Sequence, residues 1–233
     1  MNQNIVVFTG AGISAESGIP TFRDENGLWK NYDAMRLASA DGFRDDPEAV
    51  LEFYNMRRKK LSETEPNHAH YVLAELEKQH DVTIITQNVD DLHERAGSSK
   101  VVHLHGELTK VTSSRNREDD RYIKIFPLNL PITIGAKADD GSQLRPYIVW
   151  FGEYLRYMEE AQRLVENADI FIVIGTSLVV YPAADLVGYA HPEIPKFIVD
   201  PSDLDEKLPL GFKHIKETAV RGIDLLIEVL KKL

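Results

Sequence analysis

Three groups of residues have the types and spacing for chemistry. Gly10-Ala11-Gly12-Ile13-Ser14-Ala15 follows the apolar run Ile5 to Phe8 and matches a G-x-G-x-x-G/A turn between strand and helix. Glycines so placed let backbone N–H groups and a helix N-terminus approach a pyrophosphate, and they equally suit a tight turn at positive φ. A hydride-transferring enzyme would also carry a second strand ending in an acidic ribose ligand about 20 residues later. Here Thr21 to Trp29 is a polar loop. Asn88 and Asp90, two apart after the run Val82 to Thr86, can both point into a crevice at the carboxyl end of a sheet, although Asn and Asp there also suit turn chemistry. His105 closes the run Val101 to Leu104. An imidazole with a pKa of about 6.5 is largely neutral at pH 7 and can accept a proton from a sugar hydroxyl, while the plainer role is a satisfied strand-end histidine. His103, two residues earlier on the same predicted strand, is expected to face the other way and to be structural.

Elements must position these groups. Asn4 to Thr9, Val82 to Thr86, Val101 to Leu104, Ile148 to Phe151, Ile170 to Ile174 and Lys196 to Val199 read as buried strands. They alternate with helices predicted over Pro47 to Ser62, Asn67 to Lys78, Tyr154 to Asn167, Tyr181 to Gly188 and Val220 to Lys232. The alternation predicts an α/β fold with a mainly parallel, doubly covered sheet. Residues 1–32, 80–106 and 144–233 form the expected nucleotide domain, and 33–79 with 107–143 a smaller lobe. Within the latter, the alternating Ile123, Ile125, Leu128, Leu130, Ile132 and Ile134 predict a short β-ribbon.

The chain has 233 residues, 43% of them hydrophobic, enough for one core plus a smaller lobe. A net charge of -10 argues against a general nucleic-acid binder and is compatible with basic, lysine-bearing peptides. There is no cysteine, which excludes disulfides, thiolate metal sites and cysteine nucleophiles. The first ten residues lack a basic segment, and Ile5 to Phe8 is too short for a leader or a membrane span, so a cytoplasmic protein with no membrane partner is expected.

The segment Gly10 to Ala15, continued by Glu16-Ser17-Gly18-Ile19-Pro20-Thr21-Phe22-Arg23, closely resembles the first signature of the sirtuins. Thr86-Gln87-Asn88-Val89-Asp90-Asp91-Leu92-His93, then His103-Leu104-His105-Gly106, resemble the second and third. Arg145-Pro146 with Val149-Trp150-Phe151-Gly152-Glu153, then Gly175-Thr176-Ser177-Leu178, complete the set in family order. The resemblance implies a Rossmann-like sheet, NAD as cofactor, and NAD-consuming removal of acyl groups from protein lysine. It implies His105 as general base, Asn88 positioning the nicotinamide ribose and a water, Asp90 holding the carboxamide, and Gln87 reaching the ribose. Gly10, Ala11, Gly12, Ala15, Thr21, Phe22 and Arg23 would contact the nucleotide, the arginine through its forked donors. Gly175, Thr176 and Ser177 would take the adenosine half, with Ala219 a further contact. Asp200, where sirtuins usually carry Asn, would accept from ribose hydroxyls. The acyl-lysine peptide would enter between the lobes against Val149 and Phe151 and pair as an added strand between Gly152-Glu153 and Val180-Tyr181.

On the helix Pro47 to Ser62, Val50, Tyr54, Arg57 and Leu61 share a stripe, where an arginine can snorkel. Tyr54 and Arg57 also resemble the Tyr-x-x-Arg pair of the sirtuins that remove succinyl, malonyl or glutaryl groups, and Ala38 suits their roomier pocket. Sirtuins normally bind a structural zinc through two Cys-x-x-Cys pairs. Residues 109–144 contain neither Cys nor His, so no zinc is expected, with the apolar ribbon offsetting the loss. A monomer is expected. The alternatives are an ADP-ribosyltransferase and a non-catalytic NAD or ADP-ribose sensor.

Overall fold

The computed structural model describes residues 2–21, 33–178, 180–204 and 208–233. Its strands are β1 (Asn4–Thr9), β2 (Asp81–Thr86), β3 (Val101–His103), β4 (Gly106–Ser113), β5 (Lys124–Ile125), β6 (Leu144–Ile148), β7 (Ile170–Ile174), β8 (Lys196–Val199) and β9 (Phe212–Ile215). Six form one sheet in the order β3-β2-β1-β7-β8-β9, every pair parallel. Its central strands are apolar without interruption because both faces are covered. Ile5 and Val7 of β1, with Ile170, Ile172 and Ile174 of β7, enter one core with Ala69, Leu73, Ile223 and Leu226 from the helices His68–Leu76 and Ala219–Leu230. Val6 and Phe8, with Phe171 and Val173, enter the other, against Ala161 and Val165 of the helix Met158–Glu166 and Leu186 of the 3₁₀ turn Ala183–Tyr189. The period of two along each strand thus divides the side chains between two layers of helix.

The sheet differs from expectation at both ends of the pattern. β9 had no sequence signal, since Phe212-Lys213-His214-Ile215 is an edge strand with one buried residue. The expected strand Ile148 to Phe151 is instead Leu144–Ile148, and it lies in a separate antiparallel sheet ordered β5-β4-β6. Val149 leaves that ladder to donate to the His105 carbonyl at 2.9 Å, and Phe151 donates to the Ala38 carbonyl at 2.8 Å.

The helix Pro47–Ser62 has its expected bounds, with Pro47 in the first turn and Asp46 accepting from Ala49 N at 3.1 Å. It packs Val50, Phe53, Tyr54 and Leu61 against Val89, Leu108, Ile148 and Trp150. The expected boundary of the smaller lobe, residues 33–79, also includes the helix His68–Leu76, whose buried side chains lie against the large sheet.

The ribbon predicted over residues 122–134 is not formed: only Lys124–Ile125 is strand, paired with Lys110 and Val111. Arg58 explains the difference. Its guanidinium, wholly buried, donates to the Pro127 carbonyl at 2.6 Å, to Phe126 at 3.2 Å, to Leu130 at 3.4 Å, and also to Leu108. The pairing with β4 runs as far as the Phe126 N–H, which donates to the Thr109 carbonyl at 2.8 Å, and beyond it the backbone turns around the guanidinium. Asn55 adds a reciprocal pair with Ile132, donating to its carbonyl at 2.9 Å and accepting from its N–H at 2.8 Å.

Candidate active site

β1 is the strand at which the connections reverse: β2 and β3 extend to one side, β7 to β9 to the other. Ligands of doubly wound sheets bind at the carboxyl ends of such a pair, where no crossover covers the crevice. Here the exits of β1 and β7 touch. Gly12 N donates to the Gly175 carbonyl at 2.8 Å, and a Cβ on Gly12 would lie 2.6 Å from Gly175 Cα. Gly175 itself has φ of +64°. Glycine is required by close approach on both turns, whose N–H groups hold the strand exits together: Gly10 N donates to the Ile174 carbonyl and Gly175 N to the Val199 carbonyl, each at 3.0 Å.

Above this contact lies a cavity of about 560 Å³. Gly10, Ala11, Gly12, Ala15, Thr21, Gln87, Asn88, Gly175, Thr176, Ser177, Asp200 and Ala219 line it. So do His105, Ala38, Tyr54, Arg57, Val149, Phe151, Gly152, Glu153, Val180 and Tyr181. Phe22 and Arg23 lie outside the described residues. Asp90 does not reach the wall. It is buried behind it, accepting from Ser14 Oγ at 3.1 Å and from Leu92 N at 3.3 Å, while Ser14 accepts from Asn88 Nδ2 at 3.1 Å. Ser14 is therefore a relay between two candidate residues, and sequence reasoning missed it. Its only signal was a serine inside the glycine turn. Burial pushes the Asp90 carboxyl above its ordinary value, against these two hydrogen bonds.

The tautomer of His105 follows from its partner. Nδ1 lies 2.9 Å from the Gln87 carbonyl, which only accepts, so Nδ1 carries the hydrogen and Nε2 the lone pair. Burial lowers its pKa below the ordinary value, against the Gln87 carbonyl, which keeps the ring neutral. Gln87 Nε2 donates to Thr176 Oγ1 at 2.9 Å, bridging the exits of β2 and β7.

Tyr54 is buried and Arg57 half-buried, with the guanidinium carbon 5.6 Å from the ring centres of both Phe53 and Tyr54. Burial lowers the Arg57 pKa, against Tyr54 and Asp90. The Glu153 carboxylate is held within the protein, accepting from Arg145 at 2.7 and 3.1 Å and from Trp150 N at 2.8 Å. Glu16, also on the wall, accepts from Thr218 Oγ1 at 3.1 Å and Val220 N at 2.9 Å, capping the helix Ala219–Leu230.

The donors of residues 109–144 do not suit zinc. Ser113 Oγ donates to Asp140 at 2.6 Å, Ser142 Oγ donates to the same carboxylate at 2.7 Å, and Asn116 Nδ2 at 2.9 Å. These hydroxyl and carboxylate groups satisfy one another, and no thiolate exists in the sequence to replace them.

Fold and cavity define a two-lobed α/β protein with its ligand crevice at the switch point of a doubly wound sheet. A family model described as the Sir2 family matches residues 10–182. An NAD-dependent protein deacylase of Bacteroides thetaiotaomicron is 52% identical over 229 residues, covering 98% of each chain. One of Helicobacter pylori is 49% identical over 225 residues, covering 97% of this chain and 96% of its own. A solved Sir2 homolog–NAD complex superposes with a TM-score of 0.85 at 40% identity, covering 98% of this chain and 89% of that one. A Sir2 structure with deacetylated p53 peptide and 3'-O-acetyl ADP-ribose gives 0.76 at 32% identity, covering 97% and 92%. The chain belongs to the Sir2 family. Among the described residues, no helix is long and apolar enough to cross a membrane.

Proposed function

We propose that this chain is an NAD-dependent protein lysine deacylase that prefers acyl groups ending in a carboxylate. One observation carries the reading: a neutral imidazole with its lone pair available faces the same cavity as Asn88 and the glycine cradle. The cavity of about 560 Å³ beside Gly10, Ala11 and Gly12, walled on the other side by Gly175, Thr176 and Ser177, has room for a dinucleotide. When bound, NAD would supply the acyl acceptor: its ribose would give up nicotinamide and take the acyl group, with one water consumed as lysine is freed, giving O-acyl-ADP-ribose. His105 takes the proton of a ribose hydroxyl through Nε2. Asn88 holds the sugar where positive charge develops, and Asp90, behind the wall, fixes Asn88 through Ser14. The peptide adds as a strand between Gly152-Glu153 and Val180-Tyr181.

Tyr54 and Arg57 support the acyl preference. A guanidinium fork and a phenol hydroxyl at the cavity wall match a carboxylate, and Ala38 leaves room beside them. Incubation with NAD and succinyl-lysine peptide, resolved by mass spectrometry, is expected to yield nicotinamide, free lysine peptide and O-succinyl-ADP-ribose. ADP-ribosylated peptide would instead identify a transferase, and no turnover a sensor. A charged hydrogen bond is worth about 1.5–3 kcal/mol. Arg57→Met is therefore expected to lower kcat/KM on succinyl peptide on the order of 10- to 100-fold while sparing acetyl peptide, and unchanged succinyl efficiency would refute the preference.

A further inference from the structure

His103 and His105 grip consecutive carbonyls: His103 Nδ1 lies 3.1 Å from that of Asn88, His105 Nδ1 2.9 Å from that of Gln87. Their second nitrogens differ. Among the described residues none bonds His105 Nε2, whereas His103 Nε2 lies 2.7 Å from a Glu94 carboxylate oxygen. A carbonyl and a carboxylate only accept, so both nitrogens of His103 must donate, and that requires an imidazolium. We propose that His103, held in this form by Glu94, is a positioning residue for Asn88, with a charged ring that fixes the Asn88 backbone from behind the cavity. The assignment of Asn88 to the ribose rests on the deacylase reading; the state of the ring does not.

The surroundings agree. Polar atoms of Glu94, His103 and Glu107 lie within 4.8 Å of one another, and Lys110 Nζ lies 2.6 Å from Glu107. Asp90 and Asp91 also face the ring electrostatically, as does His93, which burial keeps neutral. Burial disfavours charge on His103, but Glu94 and Glu107 outweigh it and hold the ring above its ordinary pKa. Asn88 N donates to Thr86 Oγ1 at 3.0 Å, so the residue is anchored at its N–H by β2 and at its carbonyl by His103. If the ring loses a proton it can serve only one acceptor. Either the Asn88 carbonyl loses its donor, or a lone pair faces the Glu94 carboxylate.

The test combines two readouts on the full chain. Nitrogen-15 NMR of the histidine rings is expected to show His103 with two N–H protons at pH 7 and His105 with one. Glu94→Gln keeps an acceptor but removes the charge, and it should move the His103 midpoint down by about one pH unit or more. In the same variant, kcat for nicotinamide release on acyl peptide should fall about 10-fold on the alkaline side, with the KM for NAD held within about twofold. Glu94→Asp should retain most of the rate, and the melting temperatures of both variants report their folding. A singly protonated His103 at pH 7, or an unchanged alkaline limb in Glu94→Gln, would overturn the proposal. Absence of nicotinamide release from the unsubstituted protein would count against the deacylase reading instead, and the ring titration would still decide the state of His103.

Discussion

Two histidines two residues apart hold opposite protonation states because their partners differ, and the difference has a kinetic signature. His105 acts while neutral, and burial favours that form, so the acid limb of kcat/KM is expected below the ordinary imidazole value of about 6.5. A limb above that value would contradict this environment. Replacing His105 by Asn should lower O-acyl-ADP-ribose formation on the order of 10²- to 10⁴-fold, with NAD affinity by calorimetry little changed. At this scale much was legible. Gly10, Gly12, Asn88 and His105 were candidates by type and local spacing, which equally suited a tight turn, turn chemistry and a strand-end histidine; the resemblance to the sirtuin signatures decided between the readings. Ser14 was not among them, because its role depends on the register of β1 with β2, Thr9 opposite Thr86, which brings it to an asparagine 74 residues away. The side of the wall that Asp90 occupies was hidden for the same reason.

The helix Pro47–Ser62 shows how far periodicity carries at the level of an element. Its bounds followed from apolar spacing at three and four residues, and Arg57 was found on the stripe. Arg58 was missed because the helix is embraced on more than one side: Val50 and Leu61 enter one core and Leu51 another. A stripe argument assumes a single buried face. The same arginine undid the predicted ribbon, since its hydrogen bonds claimed the carbonyls of Phe126, Pro127 and Leu130. Arg58 is thus the tie of the smaller lobe. Arg58→Met would leave the buried Leu108 carbonyl without this donor and loosen the partly exposed carbonyls of Phe126, Pro127 and Leu130, and should cost about 2 kcal/mol, read as a lower urea midpoint. A chelator should leave the midpoint of the unsubstituted protein where it was. A chelator-sensitive midpoint, or one indifferent to Arg58→Met, would show that the lobe is held in some other way.

The whole molecule carries an acid weakness unrelated to its chemistry. His70 and His93 are buried with rings 4.9 Å apart, and among the described residues His70 Nε2 and His93 Nδ1 have no hydrogen-bond partner. Burial lowers His70 to about 4 and puts His93 well below its ordinary value. Unfolding restores a pKa of about 6.5, so the unfolded chain binds more protons below that pH. The stability these rings contribute is whole above about pH 6.5 and drains as pH falls toward about 4, by about 3 kcal/mol for His70. Urea midpoints at pH 7, 5.5 and 4.5 should fall in that order and flatten in His70→Asn; a constant midpoint would dismiss the idea. The six-stranded order of the large sheet was not itself readable, although its α/β class was, because alternation of elements names neighbours in sequence and not neighbours in space. Glu16 shows what that hidden geometry can do. Four residues past Gly12, its carboxylate latches the first turn of the last helix, more than 200 positions away. Trimming the tail back past Thr218 would therefore strip the glycine turn of its fastening at the far end of the polypeptide while also emptying the places of Ile223 and Leu226 beneath the sheet.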